Sequence, residues 1–223
     1  MAEDPCVVVY RTLAEFAKVR GYKLIEETPL EKYDFQVKLN QDGYYPVYMV
    51  RGDILPAKYI IAAILSENSK YYKKGSDFEN LIKTLERSVD KNIDIEEVII
   101  ITTPDIASKT TIIKIINRFI IAKSKNTVTK DNYKPLSKYY NLYKYSIFYM
   151  NIMRHVAVGN IYSILSPNEK REVIEYHRKK KAEFPKLLPG TSITPWIGAR
   201  PGDIIKVKIY SVASGYEIKY LAI

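Results

Sequence analysis

Residues 184–223 read FPKLLPGTSITPWIGARPGDIIKVKIYSVASGYEIKYLAI, and this stretch decides how the chain is parsed. Ile205, Val207 and Ile209 alternate with Lys206, Lys208 and Tyr210, the period of two that puts one face of a strand in a core and the other in water. Tyr216, Ile218, Tyr220 and Ala222 alternate in the same way with Glu217, Lys219, Leu221 and Ile223. The five residues Ser211 to Gly215 between them are short enough for a hairpin loop, with Gly215 supplying a positive φ. Upstream, Arg200-Pro201-Gly202-Asp203 fixes φ at its second position and frees it at its third, the signature of a type II turn. The chain is therefore expected to end in a β-ribbon that starts abruptly after a tight turn.

Working outward, 223 residues with 47% hydrophobic content are enough for two small domains, each with its own core. The start MAEDPC is not a basic segment followed by an apolar one, and every stretch of about 18 residues carries charge, so neither a leader nor a membrane span is expected. A single cysteine, Cys6, excludes an internal disulfide, and with two histidines, His155 and His177, it gives too few ligands for a zinc module. The formal net charge of +10, from 35 basic and 25 acidic residues, favours a polyanionic neighbour without specifying one. Heavy use of Ile, Lys, Tyr and Asn points to an AT-rich genome, such as that of a large DNA virus or a parasite.

From the N-terminus, Asp4-Pro5 caps a helix with Val9, Leu13, Phe16 and Ala17 on its inner face and Gly21 at its end. Thr28-Pro29 and Glu31 open a second, with Leu30, Tyr33 and Val37 on one side. Tyr44–Val50 and Lys58–Ser66 are expected to be strands, the latter also compatible with a helix. Ser76 to Glu79 reads as a capping box ahead of Leu81, Ile82, Leu85 and Val89. Val98–Thr102 is a β-branched run suited to a sheet interior. Thr103-Pro104 begins a helix whose inner stripe is expected to be Ile112, Ile113, Ile116, Phe119 and Ile120. Lys123–Lys144 interleaves lysines with tyrosines and reads as a solvated insertion or a nucleic-acid grip, followed by a strand at Tyr145–Met150. Ser166-Pro167-Asn168-Glu169 caps a helix carrying Val173, Ile174 and His177, and the run Arg178–Lys181 reads as complementing its C-terminal dipole or facing an acidic partner, with a nucleic-acid clamp as the alternative. The fold class is α+β in two domains, residues 1–152 holding a nuclease-like sandwich of three or four strands and residues 153–223 a small mixed α/β domain ending in the ribbon.

The run FPKL, the segment WIGARPGDIIKVK and the pattern S-x-x-S-G-Y-x-I-x-Y together resemble the C-terminal assembly domain of the fifth subunit shared by nuclear RNA polymerases I, II and III, and its archaeal homologue. Two positions depart from that family: Thr191-Ser192 stands where it has an Asp-Pro pair, and Ile209 where it has an arginine. Arg20-Gly21-Tyr22 and EEVIIITTPDIASKTT (residues 96–111) resemble the start and the strand–loop–helix of the eukaryotic protein's N-terminal jaw domain. The resemblance implies a non-catalytic subunit without a cofactor, bound to the largest polymerase subunit and to other subunits, its jaw beside downstream double-stranded DNA. It implies a location in the nucleus, or in the virion and host cytoplasm for a viral protein, and neither a membrane nor a small-molecule substrate.

Thr103, Pro104, Ser108 and Lys109 are then the DNA-proximal candidates, because a helix N-terminus with a nearby lysine suits a phosphate. Pro185, Trp196, Gly198, Arg200, Gly202, Ile205, Gly215 and Tyr220 are the candidates for the subunit interface. Trp196 has two readings, an aromatic anchor for a partner or a core residue of its own domain. Two other functions stay open. Asp203, Glu217 and Lys219 form the Asp…Glu-x-Lys pattern of a Mg²⁺-dependent nuclease, in which two carboxylates hold the metal and the lysine positions water. The basic charge also fits a free-standing nucleic-acid-binding protein.

Overall fold

The computed structural model describes residues 3–25, 32–52, 56–90, 93–129, 133–155, 160–188, 191–211 and 215–223. The chain divides into two compact units, Met1–Met150 and Asn151–Ile223. No helix among the described residues is long and apolar enough to cross a membrane.

The N-terminal unit begins with helix α1 (Pro5–Val19), capped by the Asp4 carboxylate on the Cys6 N–H at 2.8 Å. Its end is a Schellman turn: Gly21 takes φ +75°, and Tyr22 N–H reaches back to Ala17 O at 2.8 Å. Strand β1 (Lys23–Leu24), helix α2 (Lys32–Asp42), strands β2 (Tyr44–Arg51) and β3 (Lys58–Leu65), helix α3 (Gly75–Arg87) and strand β4 (Asp94–Thr102) follow. Then come a single turn α4 (Pro104–Ala107), helix α5 (Thr110–Ser124) and strand β5 (Tyr139–Lys144). The sheet has five strands in sequential order, antiparallel from β1 to β3 and parallel from β3 to β5.

Period-two packing builds three layers. Ile61, Ala63, Leu65, Val98 and Ile100 face Phe78, Leu81, Ile82 and Leu85 of α3 and Ile112, Ile115, Ile116 and Phe119 of α5. The alternate residues Ile60, Ala62, Ile64, Ile99 and Ile101 are equally buried on the opposite side of the strands. On α1 and α2, Tyr10 stacks on Phe35 at 4.5 Å, and both rings meet Tyr45 of β2 edge-on.

Several expectations are corrected here. The sheet has five strands rather than three or four, whereas Lys58–Leu65 is the strand expected and not the alternative helix. The capping box at Ser76 does not form: α3 already starts at Gly75, where a Cβ would come within 3.3 Å of Ile115 on α5, and Glu79 pairs with Lys83 and Arg118 instead. The helix after Thr103-Pro104 breaks at Ser108–Lys109, and the buried stripe of α5 is Ile112, Ile115, Ile116, Phe119 and Ala122, leaving Ile113 and Ile120 outside. Residues 145–148 form a 3₁₀ turn rather than a strand. In that turn Tyr145 and Phe148, three apart, fall on one side and are both buried. The Thr28-Pro29-Leu30-Glu31 cap and the Tyr33 side chain lie outside what is described.

The Lys/Tyr-rich segment is no free insertion. Glu86, fully buried at the end of α3, accepts from the Tyr133 hydroxyl at 2.7 Å, the Tyr140 hydroxyl at 2.5 Å and the Ser137 N–H at 2.7 Å, with Leu136 N–H farther out at 3.2 Å. Lys123 closes the other side on the Leu136 carbonyl at 2.7 Å. Burial and the Glu86 charge push both tyrosine pKa values well above the ordinary range, so their hydroxyls stay protonated and donate.

The C-terminal unit has strand β6 (Ile161–Ile164), helix α6 (Pro167–His177), a short helix α7 (Ile193–Ile197) and strands β7 (Ile204–Ser211) and β8 (Gly215–Ala222). They form an antiparallel sheet with β7 in the centre. The capping box of α6 forms as read, Ser166 N–H donating to Glu169 at 2.8 Å and Glu169 N–H to Ser166 Oγ at 3.4 Å. The type II turn also forms, with Gly202 at φ +104° and Asp203 N–H on Arg200 O at 3.0 Å. Gly215 has φ +77°.

Candidate interaction surfaces

The register of the C-terminal sheet sorts its side chains onto two faces. Ile205 pairs with Leu221 and Val207 with Lys219, whereas Lys208 pairs with Ile218 and Tyr210 with Tyr216. Because paired residues share a face, the apolar stripe of β7 and that of β8 point in opposite directions. The β7 stripe is the covered one: Ile205 and Val207 are buried, as is Trp196 of α7, a helix lying against β6 and the turn Ile152–Arg154. On the other face α6 covers only one end. There Val173, Ile174 and Tyr220 pack on Leu165, Phe184, Ile204 and Ala222, and the His177 ring sits 5.5 Å from Tyr220.

Beyond α6 that face is open. Tyr210 is 64% and Tyr216 54% exposed, their rings edge-on at 5.7 Å, with Lys208 Nζ 3.9 Å above the Tyr216 ring. Ile218 and Ile161, both opposite Lys208, are exposed on the same face. This surface was hidden in the alternation of the ribbon, which marks two stripes without saying which one a helix covers.

The interface candidates separate accordingly. Trp196 takes its core reading, and Ile205 is likewise a core residue, so neither offers a partner its side chain. Gly198 and Gly202 serve the backbone, the first as the left-handed cap of α7 and the second in the turn. Arg200 is half-buried and its N–H meets the Asp203 carboxylate at 2.8 Å. Tyr220 is half-buried against α6, while Pro185, whose carbonyl receives Ala222 N–H at 2.9 Å, and Gly215 are at the surface.

In the N-terminal unit, Thr103, Pro104 and Lys109 line a cavity of about 510 Å³ at the carboxyl ends of β3 and β4, together with Glu67, Tyr72 and Asp105. Lys109 Nζ lies 5.7 Å from the Tyr72 ring centre, and Ser108 turns its hydroxyl back onto Asp105 O at 2.9 Å. The cavity thus carries one lysine and two carboxylates, Asp105 from the loop and Glu67 from the segment after β3, a mixed rather than a purely basic surface.

Residues 150–222, which span the C-terminal unit, match the family model for "RNA polymerase Rpb5, C-terminal domain". The chain is 34% identical over 70 residues to the DNA-directed RNA polymerase subunit Rpo5 of Thermococcus kodakarensis, and 36% over 70 residues to that of Pyrococcus abyssi. In each case 31% of this chain covers 84% of the relative. The chain belongs to the Rpb5 family. The Rpb5 match contains every element of the sheet, both of its helices and the open aromatic face.

The nuclease constellation does not assemble. The Asp203 carbonyl receives Ile223 N–H, whereas Glu217 lies opposite Ile209, six residues along β7, so the two carboxylates are ~20 Å apart at ~3.3 Å per residue. Asp203 is occupied in the turn with Arg200, and Glu217 pairs with Lys219 at 3.3 Å. Among the described residues no group of three His, Cys, Asp or Glu could hold a metal ion.

Proposed function

We propose that this Rpb5-family chain is a non-catalytic subunit of a multisubunit DNA-directed RNA polymerase. Its C-terminal unit is the assembly domain that docks on the largest subunit, and its N-terminal unit is the jaw that approaches downstream DNA. The observation that carries the reading is the coincidence of the 70-residue match to Rpo5 subunits with a sheet face left half uncovered. Exposed aromatic pairs on a rigid sheet make interface anchors, because they bury much area for little conformational entropy.

Docking through this face requires Tyr210, Tyr216 and Ile218, not Trp196. Tyr216→Asp with Ile218→Asp is expected to leave the chain folded and to remove it from the polymerase purified through its largest subunit. Trp196→Ala empties a buried site and is expected to unfold the C-terminal unit instead. Recovery of the Tyr216→Asp/Ile218→Asp chain at normal stoichiometry in the complex overturns the docking surface.

The DNA-facing role rests on the loop from Thr103 to Lys109 and the basic charge. Replacing Lys109, Lys134, Lys138 and Lys144 by glutamine is expected to lower crosslinking to DNA ahead of the active centre, most strongly at low salt. Unchanged crosslinking refutes it.

A further inference from the structure

We propose that the outer face of α5 is a second protein-docking surface, built for an acidic amphipathic helix of a partner. The sequence of the helix, TTIIKIINRFIIAKS, has more apolar residues than one buried stripe can use. Ile112, Ile115, Ile116, Phe119 and Ala122 already fill the side against the sheet. Ile113, Ile120 and Ile121 are 40%, 41% and 51% exposed on the other side. Isoleucines on the side away from the sheet are a second apolar stripe, which the sheet does not cover.

At 100° per residue, Ile113, Asn117, Ile120, Ile121 and Ser124 fall in one stripe, and Lys114, Arg118 and Lys125 form a row along one flank of it. Thr111, Lys114, Asn117, Arg118 and Ile121 line a shallow groove of about 460 Å³ there. Arg118 reaches Glu79 only at 3.8 Å and is itself substantially exposed. An apolar stripe with cations on one flank is complementary to a helix that lays leucine-like residues on the isoleucines and aims carboxylates at Lys114 and Arg118. Nucleic acid would use the cations but has nothing to gain from three exposed isoleucines. This surface lies outside the Rpb5 match and does not depend on it.

The test uses the full chain, isotope-labelled for amide NMR, and three probes: a peptide with leucines at i, i+3, i+4 and i+7 and glutamates elsewhere, the same peptide with lysines for glutamates, and a DNA duplex. The glutamate peptide is expected to shift the amides of residues 111–124 and to bind at least about tenfold more tightly than the lysine peptide. Lys114→Glu with Arg118→Glu is expected to reverse that preference, and Ile120→Ser with Ile121→Ser to abolish binding of both peptides. All four side chains point outward, and the wild-type comparison of the two peptides decides the matter should a variant misfold. The proposal is overturned by equal or tighter binding of the lysine peptide, by the duplex shifting the same amides, or by no peptide shift up to about 1 mM. Concentration-dependent self-association that Ile120→Ser/Ile121→Ser removes also overturns it, because the occupant is then a second copy.

Discussion

Glu86→Gln changes one atom of the buried cluster that ties the Tyr133–Lys138 segment to α3, and its effect follows from a count of donors. Four hydrogens point at this carboxylate, two from tyrosine hydroxyls and two from backbone N–H groups. With its oxygen in the place of Oε1 the glutamine keeps three of them, from Leu136, Ser137 and Tyr140, while its NH₂ group confronts the Tyr133 hydroxyl with a donor. The lost Tyr133 bond, to a charged acceptor, contributes ~1.5–3 kcal/mol, and each of the three that remain weakens by ~1 kcal/mol when the charge goes. Removal of a desolvated charge offsets part of this, leaving a net loss of ~2–4 kcal/mol. For a unit of this size that lowers Tm by roughly 5–15 °C, measured by calorimetry or urea unfolding. Hydrogen exchange should locate the damage, with the amides of Leu136, Ser137 and Tyr140 losing protection before those of α1. A double-mutant cycle with Tyr140→Phe should give a coupling of ~1–3 kcal/mol. A Glu86→Gln chain that melts within a degree or two of the wild type refutes the reasoning, because the donors would then have other acceptors.

Arg20→Ala strands Glu97, whose carboxylate is buried and takes Arg20 at 2.6 Å and Asn141 at 2.6 Å, and is expected to cost ~3–5 kcal/mol by urea unfolding. Cys6, held at 3.3 Å from the Tyr145 hydroxyl, has its thiol pushed up to about 12 by burial, so iodoacetamide at neutral pH should label it only after unfolding, as read by mass spectrometry. The Ser166 hydroxyl and N–H hold Glu169 below its ordinary value of 4.5. A carboxylate depressed in this way adds stability above its unfolded pKa and loses it as pH falls through the folded one, so the C-terminal unit should weaken below about pH 4.5 and Ser166→Ala should flatten that dependence. Gly202→Ala puts a Cβ at φ +104° and is expected to cost ~1–3 kcal/mol by thermal melting.

What the sequence settled by itself is local. The Asp4-Pro5 start and Gly21 end of α1, the Ser166–Glu169 box, the turn at Pro201-Gly202 and the hairpin glycine at 215 are each decided by atoms within a few residues, and each formed as read. The resemblance of residues 184–223 to the Rpb5 assembly domain belongs here too, since it rests on the order of such signals. Tertiary structure alone decided the phase of α5, where isoleucines on both sides allow more than one apolar stripe and only the sheet selects Ile112, Ile115 and Ile116. It decided that Tyr139–Lys144 is the strand and that the turn follows it, because a parallel strand acquires its partner from β4, some forty residues earlier. It placed Trp196 and Ile205 in the core and the Tyr210–Tyr216 pair on the open face, since a period of two fixes which residues share a face but not which face a helix covers. Hydrogen bonds such as those of Glu86, spanning about fifty residues, leave no local pattern at all, because their energy appears only once distant segments have been brought together.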